Sequence, residues 1–293
     1  MINTAWSGLP YRQVDVFADK PLSGNGLGVF WQSRGLSSQD MQALTMELRQ
    51  FESVFLADKG SKDTYSARIF TMDEELDFAG HPILGAAAVL HEKFGSGPAE
   101  TWYIQLRKNT ISVKTLKDFD SYYATMFQPA ARFVSVVSTP TLVAEIAAAL
   151  NLDRSDLYPG LPLEVVSTGL PYVIAPVQRS IENARVVVGN LGAILEACGA
   201  KFIYVYDVAR SEGRTWDNKG TIEDIATGSA AGPVAAYLCK HRLLKVGQEL
   251  TINQGKYVRR ASQLKAKVLG TEKNFGEIEV SGRVRMVSSS ILD

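Results

Sequence analysis

Two segments that are apolar on nearly every side constrain the fold of this 293-residue chain more than any other feature. One covers residues 80–90 and the other 228–238, and each begins with a glycine followed by a polar residue. A surface helix keeps one polar face, so a helix without such a face has to lie inside the protein with other structure around it. The sequence therefore predicts two buried helices, each with its own surrounding sheet.

The two segments also match each other when they are aligned without gaps, 148 positions apart. Residues this common could coincide by chance, but a similar series of short strands follows both segments, which favours an internal repeat. The predicted fold class is α+β, with two pseudo-symmetric lobes that each wrap a curved, mostly antiparallel sheet around a central buried helix. The identical pairs are Gly80/Gly228, Ala87/Ala235, Ala88/Ala236 and Leu90/Leu238, with Glu75/Glu223 just upstream.

Boundaries follow from the order of the predicted elements. The N-terminal lobe is expected over residues 1–128, completed by a last strand at about 283–293. The C-terminal lobe is expected over 129–282, and the two join near 128–140.

Ser37 precedes Asp40 at the spacing of a capping box, which predicts a helix over 37–49. The other predicted elements are helices near 140–150 and 190–197 and strands near 11–17, 27–31, 54–57, 65–70, 102–107, 110–116, 121–127, 163–167, 172–177, 202–207, 249–253, 263–269 and 277–280.

The charge balance and the cysteine count argue against several classes of partner. Lys plus Arg and Asp plus Glu both number 31, so no net field favours nucleic acid or an anionic membrane. No apolar run approaches the roughly 18 residues of a membrane span, and the first residues lack a targeting pattern, so a cytoplasmic location is expected. Cys198 and Cys239 fit no disulfide or zinc spacing and are interpreted as core thiols. The three histidines also stand at no ligand spacing, so no metal is expected.

The helix starts at Gly80 and Gly228 are candidate anion sites. The first backbone amides of a helix have no partner within it and lie at the positive end of its dipole, and a glycine lets a carboxylate or phosphate come close. Backbone groups alone could thus hold a small anion in a chain without net charge. The alternative is that both glycines only permit tight turns from sheet to helix.

Three titratable side chains are candidate catalytic groups. His81 begins the first buried helix, although a lone histidine there is more often a cap or a half-buried hydrogen-bonded group. Asp224 lies on the loop before the second helix, where it could equally belong to a solvated turn. Glu52 lies between an amphipathic helix and an apolar strand, where partial desolvation would raise its proton affinity and suit a proton shuttle. The alternative for Glu52 is a surface glutamate at a helix end.

Several short motifs follow one another along nearly the whole chain. They are Val14-Asp15-Val16-Phe17 with Gly24-Asn25, Glu52-Ser53-Val54-Phe55, Phe70-Thr71 with Phe78-Ala79-Gly80-His81-Pro82, Ser167-Thr168-Gly169-Leu170-Pro171, and Glu223-Asp224-Ile225-Ala226-Thr227-Gly228-Ser229-Ala230-Ala231-Gly232. Each motif alone is weak. The ordered set resembles the PhzF-like family of phenazine-biosynthesis proteins.

That resemblance implies the fold of diaminopimelate epimerase and the chemistry of a cofactor-free isomerase, in which one glutamate moves a proton between carbons of a small carboxylic acid. By motif match the glutamate is Glu52, and His81 and Asp224 orient the substrate. The resemblance also implies a homodimer. The substrate-binding positions carried over are Gly24, Asn25, Gly80, Thr227, Gly228 and Ser229, the last two as the turn that binds the substrate carboxylate.

The chain departs from the family pattern beside the expected base. Phe51 and Ser53 stand where the family commonly has Ser and Thr, and Gly26 and Ile225 stand where it has Pro. An anthranilate-type substrate therefore does not follow from the resemblance.

The sequence also bears on four alternative functions. The related epimerases carry a cysteine just before each helix-start glycine, where this chain has Ala79 and Thr227, which argues against a two-thiol racemase. The glycines at 24–28 lack the dinucleotide-binding spacing, which argues against a dehydrogenase. A non-catalytic protein that binds a small acid, or an epimerase of an amino acid derivative, remains an alternative.

Overall fold

The computed structural model describes residues 6–77 and 79–293. The first five residues and Phe78, which belongs to one of the family motifs, lie outside the described residues. By its internal contacts the chain divides into two compact units. The first extends to Phe127 and includes Ser281–Asp293, and the second is Gln128–Val280.

The elements of the first unit, in chain order, are β1 (Pro10–Val16), β2 (Asn25–Phe30), α1 (Ser38–Glu47), β3 (Glu52–Ser61), β4 (Thr64–Thr71), β5 (Glu75–Leu76), α2 (Gly80–Phe94), β6 (Ala99–Gln105), β7 (Thr110–Asp118) and β8 (Ser121–Gln128), whose last residue, Gln128, already belongs to the second unit. Those of the second unit are β9 (Arg132–Val137), α3 (Pro140–Ala149), β10 (Leu163–Ser167), β11 (Pro171–Val177), α4 (Leu191–Glu196), β12 (Phe202–Asp207), β13 (Glu212–Arg214), α5 (Gly228–Lys240), β14 (Leu250–Gln254) and β15 (Ser262–Thr271). The last strand, β16 (Asn274–Ile291), begins in the second unit and ends in the first.

The sheet of the first unit closes on itself. Its strands run in the order β1-β2-β3-β4-β6-β7-β8-β16, and β16 also pairs with β1, where Val16 lies opposite Val284. Helix α2 contacts β1, β2, β3, β6 and β7, and its residues from Gly80 to His91 are all buried. A Cβ atom on Gly85 would lie 2.5 Å from Leu27 Cδ2, so this glycine allows the helix to approach the strands closely.

Strand β3 explains why Glu52 faces the buried helix. Successive side chains of a strand point to opposite faces of the sheet. Phe55 packs in a cluster with Met41 and Leu44 of α1 on one face. Val54, fully buried, and Glu52 lie on the opposite face of β3, which contacts α2. The predicted capping box of α1 is confirmed, because Ser37 Oγ accepts the Asp40 amide and the Asp40 carboxylate accepts the Ser37 amide.

The second unit holds a mixed sheet with helices on two sides. Its strands run β16-β15-β14-β13-β12-β11-β10-β9, with parallel pairs at β11–β12 and β13–β14. Val173 of β11 and Val205 of β12 pack in a core cluster with Ile146 of α3 and Leu195 of α4. Helix α5 contacts β10, β11 and β15 and is buried over most of its length. Successive residues of these strands face opposite sides of the sheet. One side therefore packs against α3 and α4, and the other packs against α5.

Four details differ from the sequence-based predictions. The expected connecting segment at 128–140 contains β9, which pairs with β10, because the alternating side chains of 132–137 suit an edge strand. The strands predicted near 277–280 and 283–293 are one continuous strand, β16. The short strands β5 and β13 were not predicted. Cys239 is buried as expected, but Cys198 is only partly buried and packs against the edge of a core cluster.

None of the helices in the described part of the chain combines the length and apolar character needed to cross a membrane.

Candidate functional site

In the first unit the structure brings Glu52 and His81 together. Glu52 is the first residue of β3 and is 9% exposed, and His81 is the second residue of α2 and is 5% exposed. Glu52 Oε2 lies 3.7 Å from His81 Nε2, which is too long for a hydrogen bond. A carboxyl group and an imidazole therefore face each other across a gap at the start of the buried helix.

His81 is neutral at physiological pH. Burial lowers the pKa of the imidazole to about 3, opposed by a smaller effect of the Gly26 backbone. The contact with Glu52 is thus not an ion pair. Asn25 is fully buried, and its Nδ2 lies 3.4 Å from His81 Nδ1, the ring nitrogen that does not face Glu52. The amide of Asn25 thereby orients the imidazole.

We expect the neutral state of His81 to make the protein acid-sensitive, and His81→Gln to reduce that sensitivity. In the unfolded chain the histidine binds a proton below about pH 6.5, whereas in the folded protein it does so only near pH 3. Stability contributed by this group is complete above pH 6.5 and falls as the pH is lowered, by up to about 1.4 kcal/mol per pH unit. Urea unfolding at pH 7, 6, 5 and 4 measures this slope, and parallel curves for both proteins would contradict a buried neutral His81.

The glycines of this region have different roles. Gly24 has φ +68°, and a Cβ atom there would lie 2.4 Å from the Val16 carbonyl oxygen, so the turn into β2 requires glycine. Gly80 begins α2, and the preceding Ala79 has no side chain that could cap it. The first amides of α2 are therefore not satisfied by an N-cap side chain, as an anion-binding helix start requires.

In the second unit, hydrogen bonds fix Asp224 and Thr227 before α5. Thr227 Oγ1 donates to Asp224 Oδ2 at 2.6 Å, and the Asp224 backbone amide donates to the Thr215 carbonyl at 3.0 Å. Thr227 occupies the N-cap position, but its side chain bonds Asp224 rather than the first amides of α5. Both helix starts thus lack side-chain caps.

Three buried side chains that were not predicted from the sequence support the same helix start. Tyr172 OH lies 2.7 Å from Ser229 Oγ, Gln128 Nε2 donates to the Gly228 carbonyl at 2.9 Å, and Gln254 Oε1 accepts the Thr227 amide at 3.1 Å. Burial raises the pKa of Tyr172, so its hydroxyl stays protonated. A tyrosine hydroxyl facing inward on a strand needs a buried partner, which is the one sequence signal that could have revealed this cluster.

The glutamates of the proposed repeat have equivalent partners in the two units. Glu75 forms two hydrogen bonds with Arg68 at 2.8 and 2.6 Å, and Glu223 forms two with Arg214 at the same distances. The backbone of each glutamate also forms a β-pair with the aromatic residue two positions after its arginine. Glu75 lies opposite Phe70, and Glu223 lies opposite Trp216. Each also stands five residues before its helix-start glycine. The same doubly hydrogen-bonded Arg–Glu pair, called a brace below, therefore precedes both helices.

Among residues 6–77 and 79–293, no group of three His, Cys, Asp or Glu side chains is placed to hold a metal ion.

Comparison with known proteins identifies the family. The model of the PhzC-PhzF family, described as phenazine biosynthesis-like protein, matches residues 14–290. The chain belongs to this family. A PhzF-type relative from Pseudomonas aeruginosa, trans-2,3-dihydro-3-hydroxyanthranilate isomerase, is 31% identical over 278 residues, or 93% of this chain and 95% of the relative. Several other relatives of this PhzC-PhzF protein are also named as isomerases, and the chain is accordingly an isomerase.

Solved structures share the fold of this chain. A predicted epimerase from Pseudomonas aeruginosa is 43% identical to this PhzC-PhzF protein, with a TM-score of 0.90 over 97% of this chain and 99% of the other. A hydroxyproline epimerase from Agrobacterium vitis is only 13% identical but reaches a TM-score of 0.65, over 97% and 92% of the two chains. That likeness concerns the fold alone and shows a strand-rich, epimerase-like architecture.

Proposed function

We propose that this protein is a cofactor-independent isomerase that moves a proton between two carbons of a small carboxylic acid, with Glu52 as the single acid and base. The observation that carries this proposal is the buried Glu52 carboxyl group beside the neutral His81 imidazole. Because the His81 imidazole is neutral, it does not place a positive charge beside the Glu52 carboxyl group. One group that gives a proton to one carbon and takes one from another requires both protonation states.

The start of α5 is proposed to bind the substrate carboxylate. Its first amides point out of the helix, and the positive end of the dipole favours an anion. Ser229 Oγ, fixed by Tyr172, adds a hydroxyl group beside Gly228. In this proposal Asp224 accepts a hydrogen bond from a substrate amine or hydroxyl, and Asn25 acts through His81 rather than on the substrate.

The relative with 31% identity suggests the substrate class. Its name describes an acid that carries both an amine and a hydroxyl group on a dihydro ring. We include unsaturated cyclic amino acids of this kind among the candidate substrates, together with open-chain amino acids. The equivalent Arg–Glu braces support the further proposal that the two units are pseudo-symmetric copies of one α+β lobe built around a central helix.

Incubation in D2O tests the proposed function. The wild-type protein should introduce one carbon-bound deuterium into a substrate acid, detected by mass spectrometry and located by NMR, without added metal or cofactor. Matched methyl esters should not be labelled, because they lack the carboxylate. A protein that binds one of these acids but neither labels nor isomerises it would instead be a non-catalytic binding protein.

A further inference from the structure

The side-chain amide of Gln254 has only one orientation consistent with its neighbours. Gln254 is 2% exposed and ends β14. Its Oε1 accepts from the Thr227 backbone N–H at 3.1 Å and from Tyr204 OH at 2.8 Å. Its Nε2 donates to the Asp224 carbonyl at 2.9 Å and to Thr227 Oγ1 at 2.9 Å. Because a backbone N–H can only donate and a carbonyl can only accept, a flipped amide would lose these contacts.

This orientation determines where the Thr227 hydroxyl proton goes. Thr227 Oγ1 receives a hydrogen bond from Gln254, so its own proton is directed to its other partner, Asp224 Oδ2, at 2.6 Å. Such a distance is typical of a hydroxyl that donates to an ionised carboxylate. Burial raises the pKa of Tyr204 well above its ordinary value, so Tyr204 stays protonated. Its hydroxyl therefore remains the donor to Gln254 Oε1.

We propose that Gln254 is a positioning residue that directs the Thr227 proton onto Asp224 and thereby holds Asp224 as a hydrogen-bond acceptor for a donor group of the substrate. The inference rests on the proposed function, in which Asp224 orients the substrate. Gln254 itself does not touch the reacting atoms. It acts through a chain of donors that runs from Tyr204 to Asp224.

Gln128 provides a matched control at the same helix start. It is also a buried amide, 3% exposed, and it accepts from Thr168 Oγ1 at 2.8 Å and donates to the Gly228 carbonyl at 2.9 Å. The contacts of Gln128 do not include Thr227 or Asp224. Loss of a buried amide is thus common to variants of both glutamines, whereas the donor chain is disturbed only at Gln254.

The test uses Gln254→Glu, whose side chain has the same size but, when ionised, can only accept. It keeps an acceptor for the Thr227 N–H but cannot donate to Thr227 Oγ1. We expect kcat for deuterium incorporation at pH 8 to fall at least 100-fold with KM changed less, and to recover at least tenfold at pH 5, where the new carboxyl group can be protonated. Gln128→Leu, which removes the other buried amide without adding a titratable group, should lose stability but keep the shape of the wild-type pH profile. A wild-type profile in Gln254→Glu overturns the proposal.

A second measurement does not depend on turnover. In the 15N-labelled wild-type protein, both side-chain amide protons of Gln254 should exchange slowly with solvent, and Thr227→Val should remove the protection of one of them. Unchanged protection of both protons in Thr227→Val overturns the proposal. If the wild-type protein labels no acid, the proposed function fails, and the amide signals still decide whether Gln254 directs the Thr227 proton.

Discussion

Replacement of Glu52 by glutamine should lower the rate of deuterium incorporation by about 10² to 10⁴-fold, the usual contribution of a positioned acid and base. Glutamine has nearly the same shape as glutamate but cannot take up or release the proton. Because Glu52 and His81 are not joined by an ion pair, the substitution breaks no charge pair between them. Because glutamine keeps the size and shape of the buried side chain, the loss should appear in kcat rather than in the thermal unfolding midpoint.

Glu164→Gln is the matched control for this prediction. Glu164 is also buried, at 1% exposure, but it pairs with Lys240 and His241 at the end of α5 rather than at its start. This control should lose stability and retain activity, which is the reverse of Glu52→Gln. Deuterium incorporation and thermal unfolding, measured on both variants, separate the two effects. Glu52→Gln with more than a tenth of the wild-type rate would remove Glu52 from its proposed role.

Local signals in the sequence were sufficient for most of the elements. The capping box at Ser37 and Asp40 depends on residues three apart, and the two apolar helices are recognised within their own segments. The placement of Glu52 on the inner face of β3 follows from the alternation of a strand once its register is known. The motifs and the family model agree on the family, and they connect regions that local patterns cannot connect.

The polar partners around α5 could not be predicted in this way. Gln254 lies 27 positions from Thr227, and Gln128 lies 100 positions from Gly228. Their contacts depend on the order of strands in the sheet, including the three-residue strand β13, which has too few residues to show a pattern. A glutamine in a strand looks the same in the sequence whether it faces solvent or closes a buried hydrogen-bond network.

Arg214→Met should destabilise the protein by about 3–5 kcal/mol, the typical result of removing one partner of a buried ion pair. The side chains of Arg214 and Glu223 are 7% and 10% exposed. Arg214 also donates to the carbonyls of Ile181 and Glu182 at 2.8 and 3.2 Å. The variant would leave a buried carboxylate and two carbonyl oxygens without their donor. Urea unfolding at pH 7 measures the change in the free energy of unfolding.

The equivalent brace in the first unit supplies the control. The side chains of Arg68 and Glu75 are 33% and 23% exposed, and Arg107 also lies 3.4 Å from Glu75, so solvent and Arg107 can replace the lost partner. Arg68→Met should therefore cost no more than about 1 kcal/mol although the bond distances are the same. In the second unit the double variant Arg214→Met with Glu223→Leu should recover part of the loss, because no unpaired charge then stays buried. Equal losses in the two single variants would show that burial does not set the strength of these braces.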